Sequence, residues 1–428
     1  MRIAVVGSGI AGLSAAWLLA SDHEIVLFEA NEQAGGHSNT VDVHLDGMTH
    51  PVDTGFLVHN DRTYPNLIQL FSLLGVETHR SEMTFSVSLP DADVEWAGSD
   101  LTTLFAQIRN LWRPAFWRMV SDILRFNRES RSLLRQVTAT GKTLEQLLLQ
   151  HHYSQEFRHW YLYPMGAAIW SSPLKEMAVF PAETFLRFCL NHGLLQILDR
   201  PQWKTVVNGS REYVSAMLKR LPDVRLSTPV LDVKRLAEGV EVGTKHGTEL
   251  FDRVILACHS DQALAILSDA HEVEKNLLKA IRYQPNTAWL HTDATLMPQR
   301  KRTWSAWNYY STARTKEAHH DKNQGPVAVT YWLNRLQNLP FHNNVFLTLN
   351  PPTAPATGTV LKKIEYAHPL LDDSAYKAQK SLALVQGQDR VYFCGAWAGY
   401  GFHEDGLKAG MKVAQLLGAN IPWNANHE

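Results

Sequence analysis

The stretch Arg2-Ile-Ala-Val-Val-Gly7-Ser-Gly-Ile-Ala-Gly12 decides how this chain folds. Residues 2 to 6 are apolar and mostly β-branched, the run stops at a glycine, and residues 10 to 20 (Ile10-Ala-Gly-Leu-Ser-Ala-Ala-Trp-Leu-Leu-Ala20) are rich in strong helix formers. Glu24-Ile-Val-Leu-Phe-Glu29 reads as a second buried strand, so the opening is a β-α-β unit and the fold class is α/β. Gly7, Gly9 and Gly12 form G-x-G-x-x-G, placed after a strand and at the start of a helix. The first glycine permits the tight turn, the second lets backbone approach a pyrophosphate, and the third lets the helix pack close to the sheet. From Ile10 and Ala11 the helix N-terminus offers free N–H groups and a partial positive charge to phosphates. Glu29 closes the second strand, where a carboxylate accepts ribose hydroxyl hydrogen bonds. Strand, glycines and acid together point to a bound dinucleotide.

The chain has 428 residues, enough for about three structural units at roughly 150 residues each. Hydrophobic residues make up 45% and charged residues 19%, which builds a large core and excludes a disordered chain. A net charge of −1 argues against a nucleic-acid partner. Cys189, Cys258 and Cys394 lie far apart with no C-x-x-C pair, so neither a disulfide framework nor a structural zinc site is supported, and a reducing cytoplasm fits best. No apolar run reaches the roughly 18 residues that span a bilayer, and no signal peptide is visible, so a soluble or peripheral protein is expected. The pairs His151-His152 and His319-His320 lack metal-ligand spacing and read as solvated surface; no metal is expected.

Between about 100 and 200 the texture changes to helical segments heavy in Trp, Arg and Leu, whereas 224 to 258 and 285 to 350 read as strands. Arg390-Val-Tyr-Phe-Cys-Gly395 is a final buried strand, followed by a glycine-rich turn and a helix over about 404–417. The expected organisation is a discontinuous dinucleotide-binding domain of about 1–75, 205–270 and 385–428. An α+β substrate domain of 76–204 and 271–384 is inserted in it, with the helical segment at about 100–200 and the ligand at the interface.

Which dinucleotide is bound follows from Glu29-Ala-Asn-Glu-Gln-Ala-Gly35-Gly36-His37, which resembles the extended signature of FAD enzymes in the amine oxidase and phytoene desaturase superfamily. The resemblance continues in Pro51-Val-Asp-Thr-Gly55-Phe56 and in Cys394-Gly-Ala-Trp-Ala-Gly-Tyr-Gly-Phe-His-Glu-Asp-Gly-Leu-Lys-Ala-Gly410. It implies a Rossmann-type, amine oxidase-like FAD domain with noncovalent FAD. The implied cofactor-binding residues are Gly7, Gly9, Ile10, Ala11, Gly12, Glu29, Ala30, Gly35, Gly36, His37, Gly55, Phe56, Val230, Gly395, Ala396, Phe402, Glu404, Asp405, Gly406 and Leu407. It places the last helix with its N-terminus, near Asp405 to Leu407, at the flavin N1–C2=O edge, where the dipole stabilises the anionic reduced form. His37 invites a covalent flavin link, but a phosphate contact or a helix-end role is the preferred reading. With no second G-x-G-x-x-G in the chain, electrons enter from the substrate and leave to oxygen, a quinone or a protein carrier.

A narrower resemblance rests on Val52-Asp-Thr-Gly-Phe-Leu-Val-His-Asn60, Tyr163-Pro-Met-Gly-Ala-Ala-Ile-Trp-Ser-Ser172 and Gly401-Phe-His-Glu-Asp-Gly406 among other stretches. These are similar to a bacterial family of flavin-containing amine oxidase-like proteins whose genes accompany cyclopropane fatty acid synthases. That resemblance implies oxidoreductase action on unsaturated or methylated (cyclopropane) acyl chains of membrane lipids, by hydride transfer from a substrate C–H to flavin N5. It also implies a synthase-like methyltransferase as functional partner, and a cytoplasmic protein placed peripherally on the inner membrane. The lysine that amine oxidases commonly hold near flavin N5 is missing from Thr287-Ala-Trp-Leu-His-Thr292, and Gly399 stands where a tryptophan is common, while Phe402 supplies the cage aromatic. A flavin amine oxidase acting on a soluble amine is therefore the alternative, and a noncatalytic FAD-binding partner of a lipid-modifying methyltransferase a third reading.

The candidate catalytic residues are His59, Trp170, Phe402, His403 and Glu404. His59 and its neighbour Asn60 lie shortly after Gly55, so they line the substrate side or simply finish a strand. Trp170 is a lid over a pocket or a core residue. His403 and Glu404 open the final helix, where Glu404 complements the dipole, bonds the ribityl chain or serves acid/base chemistry. Finally, 105–135 interleaves Arg109, Arg113, Arg118, Arg125, Arg128, Arg131 and Arg135 with Phe105, Trp112, Phe116, Trp117 and Phe126. Such a helix buries its aromatics at an acyl boundary with arginines on anionic headgroups, or packs on the core with a solvated basic face.

Overall fold

The computed structural model describes residues 1–138, 140–196, 200–310 and 328–423; the pair His319-His320 and Val327, the expected first residue of a strand, lie outside them. The first strand, Arg2–Val6, is central in a five-stranded parallel sheet whose order is Asp223–Arg225, Glu24–Phe28, Arg2–Val6, Arg253–Leu256 and Val391–Phe393. A parallel sheet is covered on both faces, which is why Ile3, Ala4 and Val5 and their neighbours Ile25 and Leu27 are fully buried without alternation. The helix Ile10–Leu19 is buried at every residue, between the sheet, the helix Arg211–Leu218 and the final helix His403–Leu416. A Cβ on Gly410 would stand 2.1 Å from Ser14 Oγ and 2.3 Å from the Ala11 carbonyl oxygen, so only glycine lets the two helices meet at this distance.

The second large sheet has seven strands in the order Val360–Leu370, Arg282–His291, Phe346–Leu349, Ala328–Trp332, Trp307–Tyr310, Phe85–Leu89 and Val94–Ala97. All its pairings are antiparallel except that of Phe85–Leu89 with Trp307–Tyr310. The eleven-residue strand Val360–Leu370 and the hairpin Thr40–Leu45 with Met48–Asp53 were not anticipated from the sequence. The helical segment covers this sheet toward its Val94–Ala97 edge: Arg158–Leu162 lies on Phe85–Leu89, and Tyr163–Trp170 on Trp307–Tyr310. No helix among the described residues is long and apolar enough to cross a membrane.

The stretch 105–135 is not one helix, and of its two expected arrangements the helical part takes the one packed on the core with a solvated basic face. A 3-10 turn, Ile108–Trp112, is followed at Pro114 by the helix Pro114–Val137. Phe116 and Phe126 are fully buried, because that helix packs inward on Ala182–Asn191 and Gln155–Phe157, and Phe105 lies half-buried against Phe116 and Trp117. Only Trp112 and Trp117 of the expected membrane aromatics face outward.

The helix–helix contact yields a stability test. Gly410→Ala gains about 1 kcal/mol of helix propensity, yet the new methyl meets backbone at under van der Waals distance, an overpacking that costs about 1–3 kcal/mol. A net loss is expected in the urea midpoint, with Gly410→Val lower still; a variant as stable as the parent refutes this account of the contact.

Candidate active site

Between the two large sheets lies a cavity of about 1390 Å³. It exceeds the roughly 300–1,000 Å³ that houses one small-molecule ligand, so a cofactor and a substrate have room together. One end is lined by Gly7, Ser8, Gly9, Ile10 and Ala11, by Glu29 to Ala34, by Gly36 to Asn39, by Thr228 to Val230, and by Gly395 and Ala396. The α-carbon of Gly9 opens on free space, where a ligand's backbone-bound group has access to the helix N-terminus. Glu29 is buried, and its Oε1 accepts from the Asn31 N–H at 2.9 Å while Oε2 accepts from the Ser8 N–H at 3.0 Å.

His37 follows Gly36 at the same end. Its ring stacks on Tyr366 at 5.0 Å and lies 5.4 Å from His368 and 6.3 Å from His259. Its Nε2 is buried without a hydrogen-bond partner among the described residues, although it lines the cavity. A buried orphan nitrogen beside a glycine-opened helix N-terminus is a donor set that fits the anionic bridge of a dinucleotide, so the residues present suit FAD. Burial, with the neighbouring imidazoles adding to it, holds His37 well below the usual histidine range.

His403 is on the same wall. Its Nε2 meets Ser38 Oγ and Tyr213 Oη, each at 2.9 Å, and its ring stacks on Phe56 at 3.9 Å. Burial depresses its pKa to about 3, with His59 a lesser cause. Gly55 and Phe56 line the cavity nearby.

Two sequence-based candidates are corrected. His59 does not line the cavity: its short strand His59–Asn60 pairs with Trp203–Val206, which turns the ring onto Phe71 at 5.4 Å behind Phe56. Asn60 Oδ1 accepts from the N–H groups of Arg62 and Thr63 and holds a turn. Glu404 is committed elsewhere, because its carboxylate accepts from Asn66 N–H at 3.2 Å and Leu67 N–H at 3.0 Å. It thereby caps the helix Pro65–Leu74, stands also in the first turn of its own helix, where a carboxylate complements the dipole, and does not line the cavity. Asp405 accepts from the Phe402 N–H at 3.0 Å and caps its own helix. Asp405, Gly406 and Leu407 thus stand behind the wall formed by Gly401, Phe402 and His403, as Gly12 and Gly35 stand behind Gly7 and Ser8.

The other end of the cavity is aromatic and aliphatic: Met83, Phe85, Trp96, Tyr161, Met165, Ile169, Trp170, Trp307, Leu347 and Leu349. Trp170 lies in the wall, 4.6 Å from Phe180 and 4.8 Å from Phe188, and Phe402 stacks on Phe188 at 5.0 Å. Register places Asn286, Ala288 and Leu290 on the same face as Tyr366, Ile364 and Lys362, which line the cavity, so this face of Arg282–His291 presents no lysine. Lys362, Tyr366 and His368 are the site residues sequence reasoning missed. The signal was the period-2 run of residues 362, 364, 366 and 368. A Cβ at Gly399 would stand 2.6 Å from Asp405 Oδ1, which explains why no tryptophan is accommodated there. Among the described residues no group of three or more His, Cys, Asp or Glu could hold a metal ion.

Comparison with known proteins gives one family match: the model of flavin containing amine oxidoreductases covers residues 10–340. An L-amino-acid oxidase of Pseudechis australis is 51% identical over 47 residues, a match spanning 11% of this chain and only 9% of that protein's length. Putrescine oxidase bound to putrescine superposes with a TM-score of 0.68 at 16% identity, over 97% of this chain and 99% of that one. A conjugated-linoleic-acid-producing fatty acid isomerase from P. acnes superposes with a TM-score of 0.65 at 13% identity, over 97% of each chain. At these identities the two structures speak to the fold.

The buried imidazoles set a pH dependence. His403 has a folded-state pKa of about 3 against 6.5 when unfolded, so on acidification the unfolded chain takes up the proton first. Its stability contribution is complete above pH 6.5 and is lost as pH falls toward 3, at about 1.4 kcal/mol per pH unit. The melting temperature should fall from pH 6.5 downward, and His403→Asn should make that fall shallower. An unchanged slope in the variant means the imidazole is not held neutral.

Proposed function

The chain belongs to the flavin containing amine oxidoreductase family and is an FAD-dependent oxidoreductase; from that premise we propose that its substrate is a long apolar acyl chain. The observation that carries this is the distal chamber, whose walls from Met83 to Leu349 are aromatic and aliphatic. A chain of methylenes gains about 0.8 kcal/mol per CH₂ buried there.

FAD, when bound, supplies a two-electron acceptor for hydride at flavin N5. The residues of this chain orient the substrate and exclude water around that acceptor. Phe188, Tyr400 and Phe402 form an aromatic side wall, and Trp170 closes it with Phe180. Loss of a hydride from one carbon and a proton from its neighbour leaves an alkene, and the electrons then pass to oxygen, a quinone or a protein carrier. The imidazoles of His192 and His403, on the wall beside Phe402, are held neutral by burial and are weak bases, so they pass the released proton onward to solvent and do not keep it. Arg282–His291 itself carries no lysine, and the lysine on this cavity face is Lys362, opposite Leu290 on the neighbouring strand. The resemblance of residues 52–60, 163–172 and 401–406 to proteins whose genes accompany cyclopropane fatty acid synthases is what suggests this substrate class and a methyltransferase of that kind as functional partner.

One observation favours a second reading, oxidation of an amine. Tyr400 and Phe402 line the cavity, and the neutral histidines there would not repel a cation.

Anaerobic mixing separates the readings. Dispersed phospholipid with unsaturated or cyclopropane chains should bleach the flavin absorbance, and Trp170→Ala should slow this at least about tenfold if the wall positions the chain. Bleaching by an amine panel and not by lipid establishes the second reading, and bleaching by neither a noncatalytic role. The flavin should also be noncovalent: acid precipitation should leave a yellow supernatant over a colourless pellet. A pellet that stays yellow would instead place a covalent link, with His37 the nearest nucleophile to test.

A further inference from the structure

The turn Ile108–Trp112 and the start of the helix after it expose what a folded monomer ordinarily hides. Trp112 is 84% exposed, Leu101 73% and Ile108 72%, and Leu111 and Trp117 are exposed beside them. The base of this tip is anchored through Trp117. Trp117 Nε1 donates to the Leu111 carbonyl at 2.9 Å, and its ring packs on Phe105 at 5.3 Å, which in turn packs on the buried Phe116. A rigid apolar tip with a tryptophan at its apex is a surface whose exposure needs a partner.

The charge around the tip identifies that partner. No acidic residue occurs between Leu101 and Ser121. Helical periodicity puts Trp117, Leu124, Arg128, Arg131 and Arg135 on one outward face of Pro114–Val137, and all five are exposed. The acids of that helix are turned aside: Asp122 accepts from the Ser154 N–H and pairs with Arg125, and Glu129 accepts from Tyr153 Oη. Arg109 and Arg118 are paired with Asp93 and Glu156, and Arg128 loosely with Glu129 at 3.7 Å, whereas Arg131 and Arg135 form no ion pair among the described residues. Lys301 and Arg302, exposed on the turn that packs on Leu101–Leu104, add two more cations beside Leu101.

The tip also adjoins the cavity. Gly98, between Val94–Ala97 and Leu101–Leu104, lines the cavity, as do Trp96 and Tyr161, and Arg113 lies over the ring of Trp160 at 4.7 Å. The apolar tip is therefore the outer side of the structure whose inner side walls the distal chamber.

From this juxtaposition we infer that the protein docks on an anionic lipid bilayer through Leu101, Ile108, Leu111, Trp112 and Trp117. The tip enters the acyl boundary, and Arg128, Arg131 and Arg135 lie against the headgroups. This geometry differs from a helix lying flat with its phenylalanines in the membrane, since those phenylalanines hold the tip from within. It follows from the surface alone and does not depend on the substrate being an acyl chain.

The test is co-sedimentation of the flavin-loaded full chain with vesicles of mixed phosphatidylglycerol and phosphatidylcholine, with pure phosphatidylcholine in parallel. Binding should need phosphatidylglycerol and weaken with added salt. Ile108→Ser with Trp112→Ser, and separately Arg128→Glu with Arg131→Glu, should each lower the bound fraction at least about tenfold while leaving the flavin spectrum and melting temperature unchanged. Because the readout is binding without turnover, it is independent of the bleaching experiment. Binding equal on both vesicles, or unaffected by both double variants, overturns the inference. So does a dimer in sedimentation equilibrium that the Ile108/Trp112 variant converts to monomer, because the tip would then be covered by a second copy of this chain.

Discussion

The fold hangs on the approach of two helices from opposite ends of the chain. Ile10–Leu19 follows the first strand, and His403–Leu416 follows the last, yet Gly410 lets their backbones come nearly into contact. That contact seals the apolar side of the first helix, which has no polar stripe of its own to give to water. It also brings the Gly7 to Ala11 turn and the Gly395 to His403 turn to one rim of the cavity. Lengthen the separation by the width of a methyl group and both walls of the cofactor cradle move apart. The glycine spacing of the first turn is thus only half of the cradle, and its other half is set nearly four hundred residues later.

The histidines of the cavity wall carry little charge, although Lys362, Glu365 and Arg200 also line the cavity. Its lining includes His37, His192, His259, His368 and His403, and burial is the leading cause that lowers each below the ordinary histidine value. Five imidazoles kept neutral give polar contacts without fixed charge, so hydrogen bonding and apolar contact dominate recognition along this wall. Glu29 stands apart, at the end where ribose hydroxyls are to be held, and its backbone donors from Ser8 and Asn31 fix its direction.

How much of this could be read in the sequence depended on how local the deciding interaction was. The glycines at 7, 9 and 12, the strand before them and Glu29 form one local unit, and the structure has the strand and helix there within a residue of the expected bounds. Glu404 also stood where a helix begins, but the helix it caps is another one, Pro65–Leu74, and nothing near residue 404 announces that. The same holds for His59, whose direction is settled by pairing with Trp203–Val206, and for Phe116 and Phe126, drawn inward by Ala182–Asn191. The strand Val360–Leu370 shows another failure. It was passed over in the sequence, and which of its faces meets the cavity depends on its register with Arg282–His291.

The wide separation of the two turns has a consequence for biosynthesis. A ribosome adding about 5–20 residues per second takes on the order of 20–80 s between releasing Arg2–Val6 and releasing Val391–Phe393. Throughout that interval the helix Ile10–Leu19 has emerged without the partner that covers it, and the parallel sheet lacks its edge strand. Nascent chains of this protein therefore display their most apolar helix for most of their synthesis, and FAD loading is a post-translational event. The step that covers that helix is the docking of the last one.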